Sequence, residues 1–427
     1  MRIAQVAHWF LPDHRGGTEQ HVFTLAQALA GRHTVAIFCG EDDPACPPES
    51  NGIYDGLAVC RVRVAPGAGA PLAARALGRF ENRAAEAAFE RFLLAFRPDL
   101  VHVHHLFKLS GGLIAVARRH GVPVVVTLHD YWFICDNAQL LYRGRAPCRG
   151  PAAGWRCAAC LSSELRRPWL GCLAPLAAPL YVHRTRYLAR ALASAAAIVA
   201  PSAYVRQRLL AAGAPVGHAR LLYHGTAADW LSDYRRVPRP GPLRLGYLGT
   251  LAPHKGVDLL VQAFRRLPAG QVELHIHGPA GAQPGYVAAL QQRAAGSAVF
   301  FHGPYERSAL ARILGNLDLV VVPSIWPENA PVTVQEALLA RVPVLAADIG
   351  GLSEFVASEE SGLLFRSGDV DALEAALRRV VAEPACLERW AQAIRPPKTM
   401  AQYALEVEAL YQEVLAGHSC SHPTAML

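Results

Sequence analysis

Apolar and polar positions alternate in blocks along the chain, and these blocks predict alternating strands and helices. The apolar blocks are short and rich in β-branched residues, which is typical of strands buried on both faces of a helix-covered parallel sheet. In the first half, the predicted strands are RIAQVAHWF, HTVAIFC, AVCRVRV, DLVHVHH, PVVVTLHD and AAIVAPS. In the second half, they are LRLGYLG, VELHIHG, AVFFHG, LDLVVVPS, VPVLAAD and GLLF.

Two series of strands predict two domains, an expectation that the length of 427 residues supports. The polar, proline-bearing connection LLYHGTAADWLSDYRRVPRPGP separates them. The predicted fold class is α/β, with two doubly wound Rossmann-like domains facing across a cleft. We expect an N-terminal domain at 1–225, a C-terminal domain at 226–395, and a final helix at 396–418 that crosses back to the first domain. Ligands of such sheets bind beyond the carboxyl ends of the strands.

Composition narrows the classes of protein. Apolar residues make up 52% and charged residues 18%, which indicates a well-packed globular chain. The formal charge of +8 suits phosphorylated small molecules or an anionic membrane. Nucleic acid is not an expected partner, because no basic block or aromatic–basic repeat stands out. The chain has no run of about 18 apolar residues and no signal-peptide pattern at MRIAQVAHWF, so we expect a cytoplasmic protein.

A glycine pair follows the first predicted strand. Gly16 and Gly17 stand at the turn into a helix that we expect to begin at about Thr18. Glycines there let backbone amides approach a phosphate closely, and the helix dipole adds partial positive charge. The alternative is a tight strand-to-helix turn without a ligand. The G-x-G-x-x-G fingerprint is absent after this strand, which argues against a nicotinamide-linked dehydrogenase.

The second half repeats this arrangement with a lysine. Gly249 ends a predicted strand, and after a short loop Lys255 and Gly256 open a helix. A lysine at the start of a helix is well placed to neutralise a diphosphate. The alternative is an exposed lysine, the usual state of this residue type.

The stretch WPENAPVTVQEA places two glutamates eight positions apart, on either side of a helix start. Because the strand LDLVVVPS precedes it, Glu328 is expected in the ligand space and Glu336 in the second helical turn, where it can accept hydrogen bonds from a ribose. Pro331 is expected at an early helical position. The residues predicted to meet the phosphate are Asn329, Val332 and Thr333. The alternative is a proline-marked helix start with both acids solvated.

Three stretches together resemble retaining glycosyltransferases of family 4. They are PSIWPENAPVTVQEALLARVPVLAADIGGLSEFVASEESGLLFRSGD, GTLAPHKGVDLL and GGTEQHVFTLAQAL. The E-x7-E element, here Glu328 to Glu336, is the most specific mark of the family. The resemblance covers nearly the whole chain and implies the GT-B fold, a nucleotide-sugar donor, a hydroxyl acceptor and transfer with retention. It implies no metal or other cofactor for catalysis.

The resemblance also assigns roles. It implies that Glu336 holds the ribose and Glu328 faces the donor sugar, while Lys255 meets the diphosphate. His129, in TLHDYWFIC, matches the family's histidine beside the reacting sugar. The predicted catalytic residues are His129, Glu328 and Lys255. The predicted donor-binding residues are Gly16, Gly17, Gly249, Thr250, Lys255, Gly278, Asn329, Ala330, Val332, Thr333 and Glu336.

Two positions depart from the family pattern. Many members carry arginine where Thr250 stands, so one phosphate contact is missing and more of the neutralisation falls to Lys255. Position 224, often asparagine in the family, is His224 here.

A cysteine-rich insertion is predicted at about 135–172. Cys135, Cys148, Cys157 and Cys160 have the spacing C-x12-C-x8-C-x2-C. Four thiolates with one C-x-x-C half suit a structural tetrahedral zinc ion. An iron–sulfur cluster and plain reduced thiols are the alternatives.

The stretch LRRPWLGCLAPLAAPLYVHRTRYLARALA mixes arginines with apolar and aromatic residues. This composition suits peripheral contact with the inner face of the cytoplasmic membrane, where a lipid-linked saccharide acceptor would be found. The alternative is an amphipathic helix that covers its own domain.

Assembly of a polysaccharide, glycan or lipid-linked saccharide is the expected use of the transfer. A nucleotide-sugar epimerase or a phosphorylase of the same fold is the alternative enzyme. A non-catalytic sugar-nucleotide-binding protein is the alternative from another class. Thr250 is the only sequence feature that favours it.

Overall fold

A computed structural model describes residues 1–64, 72–143, 146–164, 174–237, 240–281, 283 and 285–421 of the chain. The chain forms two compact units. The first unit is Met1–Gly225 together with the segment from Met400 onward, and the second unit is Thr226–Thr399. Among the described residues, none of the helices combines the length and the apolar character needed to cross a membrane.

The first unit is built on an eight-stranded sheet in the order β10-β9-β6-β5-β1-β2-β4-β3. Its strands are β1 Arg2–Ala7, β2 Thr34–Glu41, β3 Glu49–Tyr54, β4 Leu57–Arg63, β5 Leu100–Val103, β6 Val124–Thr127, β9 Ala197–Ala200 and β10 Arg220–Leu221. A separate hairpin joins β7 Leu141–Tyr142 to β8 Ala146–Pro147. The six predicted strands of this half are all present, and they pair in parallel.

The prediction of purely parallel sheets is wrong at one edge. Strand β3 runs antiparallel to β4 and was not predicted. Its sequence, ESNGIY, is polar and its residues are exposed or half-buried, so it lacks the apolar run by which the other strands were recognised.

Helices surround the first sheet. They are α1 Gly17–Ala30, α2 Leu72–Leu77, α3 Arg83–Phe96, α4 Leu113–Arg119, α5 Trp155–Glu164, α6 Ala174–Ala193 and α7 Ala203–Ala211. Side chains cap two of them: Asn82 accepts a hydrogen bond from the Ala85 N–H at 3.2 Å, and Ser202 accepts one from the Val205 N–H at 3.3 Å. Such caps satisfy N–H groups that have no partner within the helix.

The second unit is built on a six-stranded parallel sheet in the order β13-β12-β11-β14-β15-β16. Its strands are β11 Leu243–Leu248, β12 Val272–His277, β13 Val299–Gly303, β14 Leu319–Val322, β15 Val344–Asp348 and β16 Gly362–Arg366. Its helices are α8 Val257–Phe264, α9 Tyr286–Ala294, α10 Leu310–Gly315, α11 Val332–Leu339, α12 Leu352–Phe355, α13 Val370–Ala382 and α14 Ala385–Ala393. All six predicted strands are present.

The final helix, α15 Met400–Ser421, belongs to the first unit although the second unit precedes it. It begins four residues after the predicted start at 396. Tyr403 and Tyr411 are fully buried in the core that α1 and β1 also form. The side chain of Tyr411 meets the polar core as well, because its hydroxyl lies 2.6 Å from His102 Nδ1.

Candidate active site

Two loops of the second unit leave the same edge of the sheet. Strand β11 pairs in parallel with β14, so their carboxyl ends lie side by side. The loop after β11 leads through a short 3-10 turn, Pro253–Lys255, into α8. The loop after β14 carries residues 323–331 and leads into α11. Residues of these two loops are far apart in the sequence but therefore lie close together in space.

Lys255 and Glu328, one from each loop, form an ion pair. Lys255 Nζ lies 2.6 Å from Glu328 Oε1, and the same oxygen accepts a hydrogen bond from the Ser324 hydroxyl at 2.7 Å. Lys255 Nζ also lies 5.1 Å from the centroid of the Trp326 ring, within range of a cation–π contact. The side chain of Lys255 is one quarter exposed and Glu328 is buried, so the ammonium faces outward from a buried carboxylate.

Glu328 remains ionised despite its burial. Burial alone would raise its pKa, but the Lys255 ammonium and the hydrogen bonds from Lys255 and Ser324 outweigh that effect and lower the pKa below 4.5. The pair therefore presents a fixed positive and a fixed negative group at the ends of β11 and β14.

Two glycines make this loop packing feasible. Gly256 has φ +69°, and a Cβ there would collide with the Pro323 carbonyl oxygen. Gly350 has φ +67°, and a Cβ there would collide with the backbone of Glu328. Both positions combine a left-handed backbone with close approach to a neighbouring loop, and only glycine tolerates both.

Helix α11 begins at Val332, and Pro331 is its N-cap residue rather than an early helical residue as predicted. No side chain among the described residues caps this end. The first N–H groups of a helix have no partner within it, and Val332 and Thr333 are only half-buried. This helix end can therefore accept an anion.

Glu336, in the second turn of α11, is paired with an arginine that was not predicted. Arg307 Nη1 lies 2.9 Å from Glu336 Oε1, and Arg307 Nη2 donates to the Ala227 carbonyl oxygen at 2.6 Å. Burial raises the pKa of Glu336, and Arg307 only partly offsets that rise. A ligand hydroxyl that bonds to Glu336 would share this carboxylate with Arg307.

The remaining predicted donor-binding residues lie around the same strand ends. Gly249 follows β11, Gly278 follows β12 and Asn329 is buried beside Glu328, while Ala330 is half-buried. Thr250 is exposed, and its backbone carbonyl accepts a hydrogen bond from the Tyr247 hydroxyl at 2.8 Å.

In the first unit, α1 begins at Gly17, one residue before the predicted start at Thr18. The carboxylate of Glu19 folds back towards Gly16, so that a Cβ on Gly16 would collide with it. Glu19 is buried, which raises its pKa, and it lies 3.4 Å from His8 Nε2. An internal carboxylate thus occupies the helix end at which a phosphate was expected.

His129 lies two residues after β6 and is part of a buried histidine network. Its Nε2 lies 2.8 Å from His104 Nδ1, and His104 Nε2 lies 2.5 Å from Gln5 Oε1. Burial, reinforced by the neighbouring histidines, lowers the pKa of His129 well below 6.5. At neutral pH, His129 is therefore an uncharged imidazole that can donate and accept hydrogen bonds.

His224, the second departure from the family pattern, packs against His21, with ring centroids 4.0 Å apart and ring planes tilted by 32°. One nitrogen each from His21, His129 and His224 lie within 4.8 Å of one another, a spacing that could hold a metal ion. A second such group, His14, Glu41 and Asp42, is half-buried or exposed.

Sequence models of two families match the chain. The model described as Glycosyltransferase Family 4 matches residues 15–230, and the model described as Glycosyl transferases group 1 matches residues 235–396. The chain belongs to glycosyltransferase family 4. The predicted membership and the predicted enzyme class, a glycosyltransferase, are thereby confirmed.

Similar proteins agree with this family. The glycosyltransferase is 27% identical over 413 residues to a glycogen synthase of Mycobacterium tuberculosis, covering 92% of this chain and 89% of that protein. Its fold matches a sucrose-phosphate synthase from Thermosynechococcus elongatus with a TM-score of 0.73 at 22% identity, covering 97% and 99% of the two chains. It also matches Anabaena Alr3699/HepE in complex with UDP and glucose, with a TM-score of 0.66 at 18% identity and coverage of 96% and 99%. The prediction of the GT-B fold is confirmed.

The site of this glycosyltransferase contains residues that the sequence did not single out. Ser324 and Arg307 hold the two predicted glutamates, and Glu19 closes the end of α1. Ser324 was foreseeable from its place at the end of LDLVVVPS. Arg307 follows β13, far along the chain from Glu336, and no spacing pattern links the two.

Proposed function

We propose that the enzyme transfers a sugar from a nucleoside diphosphate sugar to a hydroxyl acceptor with retention, in the assembly of a polysaccharide, glycan or lipid-linked saccharide. The observation that carries this proposal is the ion pair of Lys255 and Glu328 beside the uncapped amino end of α11. This arrangement offers positive groups for a diphosphate and a carboxylate for sugar hydroxyls. The relative solved with UDP and glucose supports a donor of this class.

When the donor binds, Lys255 and Glu328 would give up their contact with each other and bind groups of the donor instead. The diphosphate takes the Lys255 ammonium and the N–H groups at Val332 and Thr333, and hydroxyls of the donor sugar take the Glu328 carboxylate. Glu336 accepts hydrogen bonds from the ribose hydroxyls. Each buried polar group then keeps a partner, as buried groups must.

The chemical step forms a bond between the acceptor oxygen and the anomeric carbon and breaks the bond from that carbon to the diphosphate oxygen. Lys255 and the end of α11 stabilise the negative charge that develops on the departing diphosphate. The acceptor attacks from the face that the diphosphate leaves, and an oxygen of the β-phosphate receives the acceptor proton. The anomeric configuration is therefore retained.

His129 serves as a hydrogen-bonding contact of the donor sugar rather than as a base that must ionise. Its lowered pKa supports this assignment, because an uncharged imidazole keeps a donor and an acceptor at neutral pH. His104 fixes the ring through the contact to Nε2. We expect His129→Gln to retain more turnover than His129→Ala.

The test begins with thermal-shift screening of uridine, guanosine and adenosine diphosphate sugars. Turnover of the best donor is then measured with a panel of saccharide acceptors, and the anomeric configuration of the product is assigned by NMR. Lys255→Ala and Glu328→Ala should each lose most of the turnover, while Glu388→Ala, an exposed acid on α14, should keep it.

Other outcomes would contradict the proposal. Full turnover in Lys255→Ala or Glu328→Ala would remove these residues from the site. An epimerised donor would indicate a nucleotide-sugar epimerase, and release of a sugar phosphate would indicate a phosphorylase. Donor binding without transfer or hydrolysis would indicate a non-catalytic protein.

We further propose peripheral contact with an anionic membrane through one face of α6. Part of the predicted segment, 165–173, lies outside the described residues, and Tyr181 is buried in its own unit. Leu176 and Trp155 nevertheless remain 78% and 53% exposed. Trp155 shares a surface groove with Arg186 and Arg190, which suits an interface of acyl chains and anionic headgroups.

Vesicle co-sedimentation tests this contact. The enzyme should sediment with phosphatidylglycerol-containing vesicles at low salt and stay in solution with phosphatidylcholine vesicles. Arg186→Glu/Arg190→Glu should lose the binding, and Arg206→Glu, on α7, should keep it. Equal sedimentation of the double variant and the wild type would exclude this surface.

A further inference from the structure

Four cysteines of the first unit lie around one small cavity that the proposed transfer does not use. Cys135 precedes the β7–β8 hairpin, Cys148 follows it, and Cys157 and Cys160 stand on α5. All four line a cavity of about 20 Å³. Two positions three apart on a helix lie on the same face, so the C-x-x-C pair presents both sulfurs to this cavity.

Backbone N–H groups point at the cysteine sulfurs. The Arg143 N–H donates to Cys160 Sγ at 3.2 Å, and the Gly150 N–H donates to Cys148 Sγ at 3.4 Å. A thiol sulfur is a weak acceptor, whereas a thiolate accepts such bonds well, so the contacts at Cys148 and Cys160 are compatible with thiolates.

Charged side chains lie close to the cysteines. Arg184 is buried, and its Nε lies 3.3 Å from Oδ1 of Asp136, which also lines the cavity. Arg156 lines the cavity. Four thiolates around a divalent cation carry a net charge of −2, and a site of that charge is stabilised by cations of the protein nearby.

The segment that holds the cysteines has little core of its own. Its described apolar cluster contains two buried residues, Ala158 and Tyr181. Its backbone is also strained, because Ala138, Leu140 and Arg143 all have positive φ values between 51° and 62°. A metal crosslink would stabilise such a segment.

A disulfide crosslink fits less well, because Cys135, Cys148, Cys157 and Cys160 form no disulfide in the described part of the chain.

We propose that Cys135, Cys148, Cys157 and Cys160 bind one structural zinc ion as a tetrahedral set of thiolates. Four cysteine sulfurs that include a C-x-x-C pair and line one cavity are the ligand set of structural zinc sites. In the described residues, no three of these sulfurs lie within 4.8 Å of one another. Zinc–sulfur bonds of about 2.3 Å would draw them inward across the cavity. With four protein ligands, the ion has no open position and serves to hold the segment after His129.

The first measurement is the metal content of the full-length enzyme purified without chelator. We expect about one equivalent of zinc in the wild type and in Cys46→Ser, a matched control at a cysteine outside the cavity. Cys157→Ser/Cys160→Ser should fall below about a tenth of an equivalent. Zinc below that level in the wild type, iron with inorganic sulfide, or full zinc content in the double variant would each overturn the proposal.

A second measurement needs no variant, in case the double variant does not fold. Wild-type enzyme treated with a mercurial thiol reagent should release its zinc, and enzyme reconstituted with cobalt should show thiolate-to-cobalt charge-transfer absorption. Limited proteolysis should then cut the apo enzyme within residues 135–164 faster than the zinc-loaded enzyme. Zinc that resists the mercurial, or equal cleavage of both forms, would contradict thiolate coordination or the structural role, respectively.

Discussion

Replacing Lys255 by alanine tests the ion pair at the centre of the proposed site. The carboxylate of Glu328 is buried and would keep only the Ser324 hydroxyl as a partner. A hydrogen bond to a charged group contributes about 1.5–3 kcal/mol. Because the Lys255 side chain is one quarter exposed, water partly replaces it. We therefore expect the free energy of unfolding of the second unit to fall by about 1–2 kcal/mol at neutral pH.

The pH dependence identifies the cause of this loss. In the wild type, the pKa of Glu328 is lowered, so its ionised form adds stability above pH 4.5 that is lost as the pH falls. Without Lys255, burial dominates and raises this pKa. The carboxylate then destabilises the variant at neutral pH and ceases to do so once it is protonated. The stability difference between wild type and Lys255→Ala should therefore shrink from pH 7 to about pH 4.

Urea unfolding followed by circular dichroism at several pH values measures this difference. Arg265→Ala, which removes an exposed cation at the other end of α8, is the matched control and should show no such pH dependence. Turnover with the donor found by screening should fall by about 10²–10³-fold in Lys255→Ala, the usual effect of removing one stabilising donor. A stability difference that stays constant with pH, or vanishes at pH 7, would refute the assignment of the pair.

Three further predictions concern single features of the structure. Gly256→Ala should lower the free energy of unfolding more than Gly270→Ala does, by at least about 1–3 kcal/mol. Both glycines have positive φ, but only at Gly256 would the new Cβ meet a carbonyl oxygen. Urea unfolding of the two variants measures the difference. Acidification below pH 6.5 should destabilise the first unit, because burial lowers the pKa of His21 and of His102 to about 3, so that the unfolded chain binds protons at a higher pH than the folded chain does. Each histidine lowers the free energy of unfolding by up to about 1.4 kcal/mol per pH unit. His102→Asn should therefore show a shallower pH dependence in the same assay. Thr250→Arg should fold normally, because residue 250 is exposed, and should lower the KM for the donor by supplying a second phosphate contact; an unchanged or higher KM would show that this position does not face the diphosphate.

The strands and the two loops of the donor site could be predicted because their determinants are local. Runs such as LDLVVVPS and VPVLAAD are buried on both faces and contain almost only apolar residues, and a parallel sheet places their carboxyl ends side by side. The contact of Lys255 with Glu328, 73 positions apart, follows from that topology. The most specific pattern in the chain, the two glutamates around α11, needed no long-range information at all.

Other features depend on contacts that no local pattern records. Strand β3 pairs through its backbone although its side chains are polar, and Arg307 meets Glu336 only once β13 and α11 have been placed in the fold. The link from His129 to His104 and on to Gln5 crosses three neighbouring strands, so it appears only when the strand order is known. Pro331 lies one position earlier than predicted, because a proline marks the start of a helix only to within a residue or two.

The position of α15 determines which of the two units can complete its fold first during synthesis. The second unit is one continuous stretch and can collapse as soon as Thr399 has emerged, whereas the first unit is interrupted and lacks Tyr403 and Tyr411 until these later residues have been synthesised. Nascent chains stalled shortly before Met400 should therefore carry a protease-resistant second unit and a protease-sensitive amino-terminal one. Helix α15 follows the second unit in the sequence, yet it completes the fold of the first unit, whose other segments were synthesised earlier.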